Sequence, residues 1–159
     1  MLTMNDLSDG VNRTWENLSH GWQHLMSRAS NALTHFTSKD EDKDLVPLQS
    51  PRWGLMSAEI FDDADKLIVS LEVPGLSAED FNVSVVENVL MISGEKRFER
   101  EQSKGEYHLL ERAYGQFTRS IPLGYEVEPD TARATYRHGV LRLEIDKKPQ
   151  QRRRQIQVN

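Results

Sequence analysis

The chain contains no cysteine, which excludes disulfide bracing, thiol nucleophiles and cysteine-ligated zinc and fits a reducing compartment. It also lacks any run near the ~20 consecutive apolar residues that a membrane-spanning helix needs. Its first residues, which include Asp6 and Asp9, show neither the basic cluster nor the apolar stretch of an export signal. A cytoplasmic location is the expectation. Glycine-rich phosphate loops are missing too: Gly94-Glu95-Lys96 has no glycine loop upstream of it. There is no G-x-S-x-G, no H-E-x-x-H and no dinucleotide-binding turn. His108 and His138 fall in apparent loops with no assignable nucleophile. These absences argue against an enzyme, against ATP-driven cycling and against a cofactor. Positive charge is in deficit, with 20 Lys and Arg against 25 Asp and Glu and a net charge of −5, so overall charge gives no reason to expect nucleic acid.

What is present divides into three parts. At 159 residues, 37% hydrophobic and 28% charged, the chain suits one soluble domain with tails. Residues 1–52 form an arm. Within it Trp15, Leu18, Trp22, Leu25, Met26, Ala29, Leu33 and Phe36 recur mostly at spacings of three and four, the helix period. Asn12 is a candidate cap, and the amphipathic helix would run about 20 residues, roughly 30 Å. Its apolar stripe needs a surface to cover it. The linker after it separates the stripe from the domain, so the surface expected to cover it belongs to another protomer or another protein. A membrane surface is a third reading, but the polar face lacks the Lys and Arg density such helices carry, so no membrane is required. His20 and His24 have a metal-compatible spacing, with His35 farther along, but no cysteine or suitably placed acid joins them. They read as solvent-facing, and no metal is expected. The charge run Lys39-Asp40-Glu41-Asp42-Lys43-Asp44, followed by Pro47 and Pro51, reads as a linker.

From residue 53 to 148 the period becomes two. Leu67, Val69, Leu71 and Val73 alternate with polar or smaller neighbours, as do Phe81, Val83 and Val85. Leu90 and Ile92 follow, then Phe117, Arg119, Ile121 and Leu123, then Ala132, Ala134 and Tyr136, and finally Leu141, Leu143 and Ile145. Short alternating strands punctuated by Pro74-Gly75, Glu87-Asn88, Gly115, Gly124 and His138-Gly139 predict an all-β, immunoglobulin-like antiparallel sandwich. Glu87-Asn88 is a two-residue hairpin turn in which Asn88 is the candidate for positive φ. One charged excursion, residues 97–112, breaks the rhythm and carries an apolar island from Tyr107 to Leu110. It makes sense if the island pairs with a neighbouring sheet edge. Arg119 shares a face with Phe117 and Ile121. Either its head reaches water at the sheet edge, or it is partly buried at a subunit interface and paired with carboxylates. Residues 149–159 form a flexible polar tail, basic at Arg152 to Arg154. Lys147, Lys148 and these arginines read as a solubilising run, because no aromatic residues interleave with them. In an extended tail Ile156 and Val158 point the same way, as a two-pronged apolar plug.

Taken together, these residues resemble the small heat shock proteins, the α-crystallin domain family, over nearly the whole chain. Ala134 with Gly139-Val140-Leu141 matches A-x-x-x-x-G-V-L, a structural turn. Val73-Pro74-Gly75 with Asp80-Phe81 matches the family's V-P-G turn, and Gly94-Glu95-Lys96 its G-E-[RK] strand end. Tyr107, Glu111, Arg112, Gly115, Phe117 and Arg119 match Y-x-x-x-E-R-x-x-G-x-F-x-R. Ile156-Gln157-Val158 matches the C-terminal I-x-[I/V] motif. Pro122 stands before Leu123 where the family often has proline after it, a departure that touches only a turn.

The resemblance implies an ATP-independent holdase working as an oligomer of dimers. The excursion would cross to a partner, placing Tyr107, Leu109, Glu111, Arg112 and Arg119 at the dimer interface. Ile156 and Val158 would dock in another dimer, between strands carrying Val83 and Val85 and Ala132 and Ala134. Trp15, Leu18, Trp22, Leu25, Met26, Leu33 and Phe36 would bind clients. Implied partners are unfolding proteins, ATP-dependent refolding chaperones downstream, and a second small heat shock protein. A co-chaperone CS domain shares the sandwich, but that class lacks the excursion, the G-V-L turn and the plug.

Overall fold

The alternating stretches fold as strands, and their inward residues make one core. The computed structural model describes residues 20, 22, 23, 30–38, 50–99 and 105–159. The strands are β1 (Leu33–His35), β2 (Trp53–Leu55), β3 (Ala58–Asp63), β4 (Lys66–Glu72), β5 (Phe81–Val86), β6 (Val89–Lys96), β7 (Gly115–Pro122), β8 (Arg133–Arg137) and β9 (Val140–Asp146). A four-stranded sheet has the order β3-β4-β9-β8, a three-stranded sheet the order β5-β6-β7, and β1 pairs with β2. The ladders of the two larger sheets are all antiparallel. Register aligns the apolar parity: Leu67, Val69 and Leu71 face Ile145, Leu143 and Leu141 across the β4–β9 ladder. In the other sheet Leu90 pairs with Ile121. Side chains from both sheets join a single buried cluster, so the sheets pack face to face as a sandwich. Each fully buried side chain of this kind contributes about 1.5–3 kcal/mol before entropy costs.

Two of the hairpin turns fall where the sequence puts them, whereas the β3–β4 turn at Ala64-Asp65 was not anticipated. His138 (φ 52°) and Gly139 (φ 79°) both adopt positive φ, as a type I′ turn requires, and hand the chain directly from β8 to β9. At the β5–β6 turn the positive φ falls on Glu87 (57°) rather than on Asn88. Both primed turns require positive φ at the first central residue, and that position is Glu87.

The helical stripe does not extend to Phe36. The chain divides into two compact units, Met1–Leu33 and Thr34–Asn159. His20, Trp22 and Gln23 are helical, but Ser30–Ala32 is a 3-10 turn and Leu33–His35 is strand β1. Phe36 is 5% exposed, with its ring 5.5 Å from that of Phe117, so it is sandwich core and not a client-binding side chain. The next residue, Thr37, exchanges two backbone hydrogen bonds with Gln116 at 2.9 and 2.7 Å. This crossing explains Gly115: a Cβ there would collide with the Thr37 carbonyl, and φ is +119°. Tertiary packing on Phe117 overrides a helical spacing that continued by coincidence. Residues 34–37 thus pack with the sandwich, ahead of the boundary expected at residue 53. Phe36→Ala should cost about 3–5 kcal/mol, the usual price of truncating a core aromatic. A urea unfolding midpoint unchanged from wild type would place Phe36 outside the core.

Candidate functional site

Among the described residues β3, β5 and β8 are open sheet edges, and the four expected groove residues lie at or beside two of them. β8 and β5 are edges of the two sheets and meet through Phe81 and Tyr136, whose ring centroids are 4.9 Å apart. Tyr136 Oη donates to the Val73 carbonyl at 2.9 Å, holding the start of this seam beside the V-P-G turn. Val83, Val85 and Ala132 are partly buried against the core, while Ala134 is exposed. The four expected groove residues therefore lie on two neighbouring edges with apolar surface between them. In the G-V-L turn Gly139 supplies positive φ, Val140 is half-buried and Leu141 is core.

The opposite edge of the four-stranded sheet is β3. Register with β4 puts Ala58, Ile60 and Asp62 opposite Leu71, Val69 and Leu67, on the core-facing side. Yet Ile60 and its neighbour Phe61 are exposed. A concavity of about 400 Å³ is lined here by Glu59, Ile60, Phe61, Ile68, Ser70 and Arg142. Tyr107 and Leu109 of the excursion are exposed and lie outside any strand in the single chain. Glu111 and Arg112 are exposed, and the Arg112 guanidinium carbon sits 5.2 Å from the centroid of the Tyr114 ring.

Arg119 points to the inner side of β7. It pairs in register with Ile92, between the Gly94–Phe117 and Leu90–Ile121 pairs. Its Nε is buried and finds no hydrogen-bond partner among the described residues. Burial pulls the guanidinium pKa below its ordinary value.

The two tail residues expected to act as a plug are fully open in the single chain: Ile156 is 85% and Val158 94% exposed. Of the remaining residues expected to bind clients, Trp22 is helical and exposed and Leu33 begins β1, also exposed. Trp15, Leu18, Leu25 and Met26 lie outside the described residues. His24 does too, whereas His35 stacks on Trp53 with ring centroids 4.8 Å apart. Among the described residues no group of three or more His, Cys, Asp or Glu is placed to hold a metal ion. No helix among them is long and apolar enough to cross a membrane.

Sequence reasoning missed one polar centre. Lys147, grouped above with the solubilising charges, has 0% exposure. Its Nζ donates to Asp62 Oδ1 and lies 4.4 Å from the centroid of the Tyr125 ring. Tyr125 Oη donates to the other Asp62 oxygen at 2.8 Å, and Arg153 Nη2 reaches that same oxygen at 3.2 Å. The Lys147 hydrogen bond, then that from Tyr125, hold the Asp62 carboxyl below the usual carboxylate range. The signal was available in the parity: Leu141, Leu143 and Ile145 point inward, and Lys147 continues the same series.

The Hsp20/alpha crystallin family model matches residues 59–159. A small heat shock protein of Rickettsia felis, C2, is 30% identical over 121 residues, covering 76% of this chain and 73% of its own. Among solved structures, heat shock protein 16.0 of Schizosaccharomyces pombe aligns with a TM-score of 0.55 at 30% identity, covering 65% of this chain and 97% of that one. A small heat shock protein of Xylella fastidiosa, described as having a distinct high order structure, gives 0.53 at 27% identity, with 67% and 97% covered. With the match spanning the sandwich, both sheet edges and the tail, the chain belongs to the Hsp20/alpha crystallin family.

Proposed function

We propose that this small heat shock protein holds unfolding proteins through an assembly built at the two open edges of its sandwich. Its family makes it an ATP-independent chaperone. The finer reading is that the Tyr107–Leu110 island crosses to a partner and pairs with that subunit's β3. Such pairing would give Ile60 and Phe61 the cover they lack in the single chain. Arg119, Glu111 and Arg112 complete this interface. Ile156 and Val158 dock between β5 and β8 of another dimer. Amphipathic arms carrying Trp15, Trp22 and Leu25 then offer apolar surface to clients in the cytoplasm. Refolding by ATP-dependent chaperones follows release, and a second small heat shock protein can share the assembly.

One observation supports this reading above the others: a single chain leaves both its plug and the β3 edge exposed. Burying two side chains such as Ile156 and Val158 gains roughly 3–6 kcal/mol before ordering costs, a level that suits reversible assembly. Many weak sites on one particle then add by avidity. Without nucleotide, a sub-stoichiometric amount of the oligomer should suppress light scattering from a heat-denatured model client. Unchanged scattering would remove the functional claim.

A further inference from the structure

We infer that Arg152 and Arg153 are positioning residues that fix the exit of the tail and so commit its plug to a different subunit. This rests on the reading of Ile156 and Val158 as a plug. After β9 the chain makes a 3-10 turn over Pro149–Gln151 and is tied down at one point before it and three after it. The Lys148 amide donates to the Glu126 carbonyl at 2.9 Å, and Arg152 Nε donates to the Lys147 carbonyl at 3.1 Å. The Arg153 amide donates to the Ala64 carbonyl at 3.4 Å, and its Nη2 meets Asp62 at 3.2 Å. Asp62 is a firm anchor because the buried Lys147 and the Tyr125 hydroxyl already hold it. The last fixed backbone point therefore lies against the β3–β4 turn, on the edge of the sheet opposite β8.

Chain geometry then decides which groove is within reach. From Arg153 to Ile156 is three residues, about 10–11 Å at full extension. From β3 to β8 the sheet spans three strand spacings, about 14 Å, before the groove is entered. While the clamp holds, Ile156 cannot reach its own groove, so the two prongs cannot dock there together, and both stand in solvent. Without the two side-chain contacts only the 3.4 Å bonds from the Arg152 and Arg153 amides hold the tail beyond Gln151, and once these open the last fixed point is Gln151. Ile156 is then five residues away and reaches about 17 Å, enough to arrive at its own β8. A self-docked plug competes at the millimolar effective concentration of a short tether and would cap the groove against neighbours. One salt bridge and one side-chain bond to a backbone carbonyl thus select between intersubunit docking and self-capping.

The test compares Arg152→Gln/Arg153→Gln with Ile156→Ala/Val158→Ala. Arg153 is largely exposed and Lys147–Asp62 is untouched, so both proteins should keep the wild-type unfolding midpoint. Light scattering on a sizing column should show each variant's particle mass reduced at least twofold. Hydrogen exchange should separate them: amides from Val83 to Val85 stay protected in the arginine variant, whose plug occupies its own groove, and open in the plug variant. If the arginine variant keeps wild-type mass while the plug variant shrinks, the clamp proposal falls and the plug reading stands. A small arginine variant with β5 amides as open as in the plug variant also overturns self-capping. If neither mass changes, the plug reading fails and takes the clamp with it.

Discussion

Asp62→Ala should destabilise the sandwich strongly, whereas Lys147→Met should leave it near wild type. The two changes break the same ion pair but strand different charges. Removing Asp62 leaves the ammonium of Lys147, with 0% exposure, facing, among the described residues, the Ala64 carbonyl at 3.4 Å and the Tyr125 ring. Leaving a buried charge uncompensated costs about 3–5 kcal/mol. Removing Lys147 instead leaves a carboxylate at the surface that still accepts from Tyr125 and Arg153, and methionine fills the lysine's volume. Replacing a buried ion with an apolar side chain of similar size is often neutral or stabilising. Urea midpoints read by tryptophan fluorescence check the asymmetry, and equal losses would count against it. The pH dependence follows from the same carboxyl. Its folded pKa is depressed, so its stabilisation is present above the ordinary aspartate value of about 3.9 and is lost as pH falls through the lower folded value. Glu144 is depressed in the same direction by Lys66 and then Arg142. Stability should therefore hold at neutral pH and fall below about pH 4, and Asp62→Ala should flatten that fall.

Arg119→Ala should weaken the dimer by roughly 2 kcal/mol or more, about 30-fold in dissociation constant, as expected for an interface hot spot. The single chain supplies the reason: Nε is buried and unpartnered among the described residues, a state costing about 1–3 kcal/mol. A carboxylate brought by a second subunit would satisfy it bidentately, which an ammonium does poorly. Two further outcomes follow. Arg119→Lys should keep the charge and still weaken the dimer. Arg119→Met should hold or raise domain stability, because it deletes an unsatisfied donor between Phe117 and Ile121. Native mass spectra across a dilution series measure the first effect, and an unchanged dissociation constant would return Arg119 to the reading in which its head simply reaches water.

The parts of the fold that sequence made legible are those where one face is buried and the other wet. β4, β5, β7 and β9 show their alternation plainly because each has a core side. β3 escaped notice because an edge strand exposed on both faces has no reason to alternate: Ile60 and Phe61 are neighbours and both exposed. β1 was hidden by accident, since Leu33 and Phe36 happen to extend a helical spacing. The G-V-L turn was legible as a motif, and the Phe81–Tyr136 ring contact brings the two edges bearing the expected groove residues together. The Asp62–Lys147 centre went unread because a charged pair adjoining Lys148 resembles any solvated run, and only the inward parity of residue 147 distinguishes it. The tail clamp could not be read at all, since it depends on Ala64 and Asp62, more than eighty residues before Arg152 and Arg153 in the chain.

The β3 edge carries a last consequence, in terms of mass action. A lone subunit presents an open strand with Ile60 and Phe61 uncovered, the same feature that makes an unfolding protein associate. If β3 is the dimer edge as proposed, a subunit below its dimer dissociation constant would resemble the proteins it holds. Glu59 and Asp63 along that strand place charge beside the uncovered apolar residues, as gatekeepers against non-specific pairing do. A subunit in exchange is protected by brevity and by charge, and the oligomer is the form in which the protein is safe from itself.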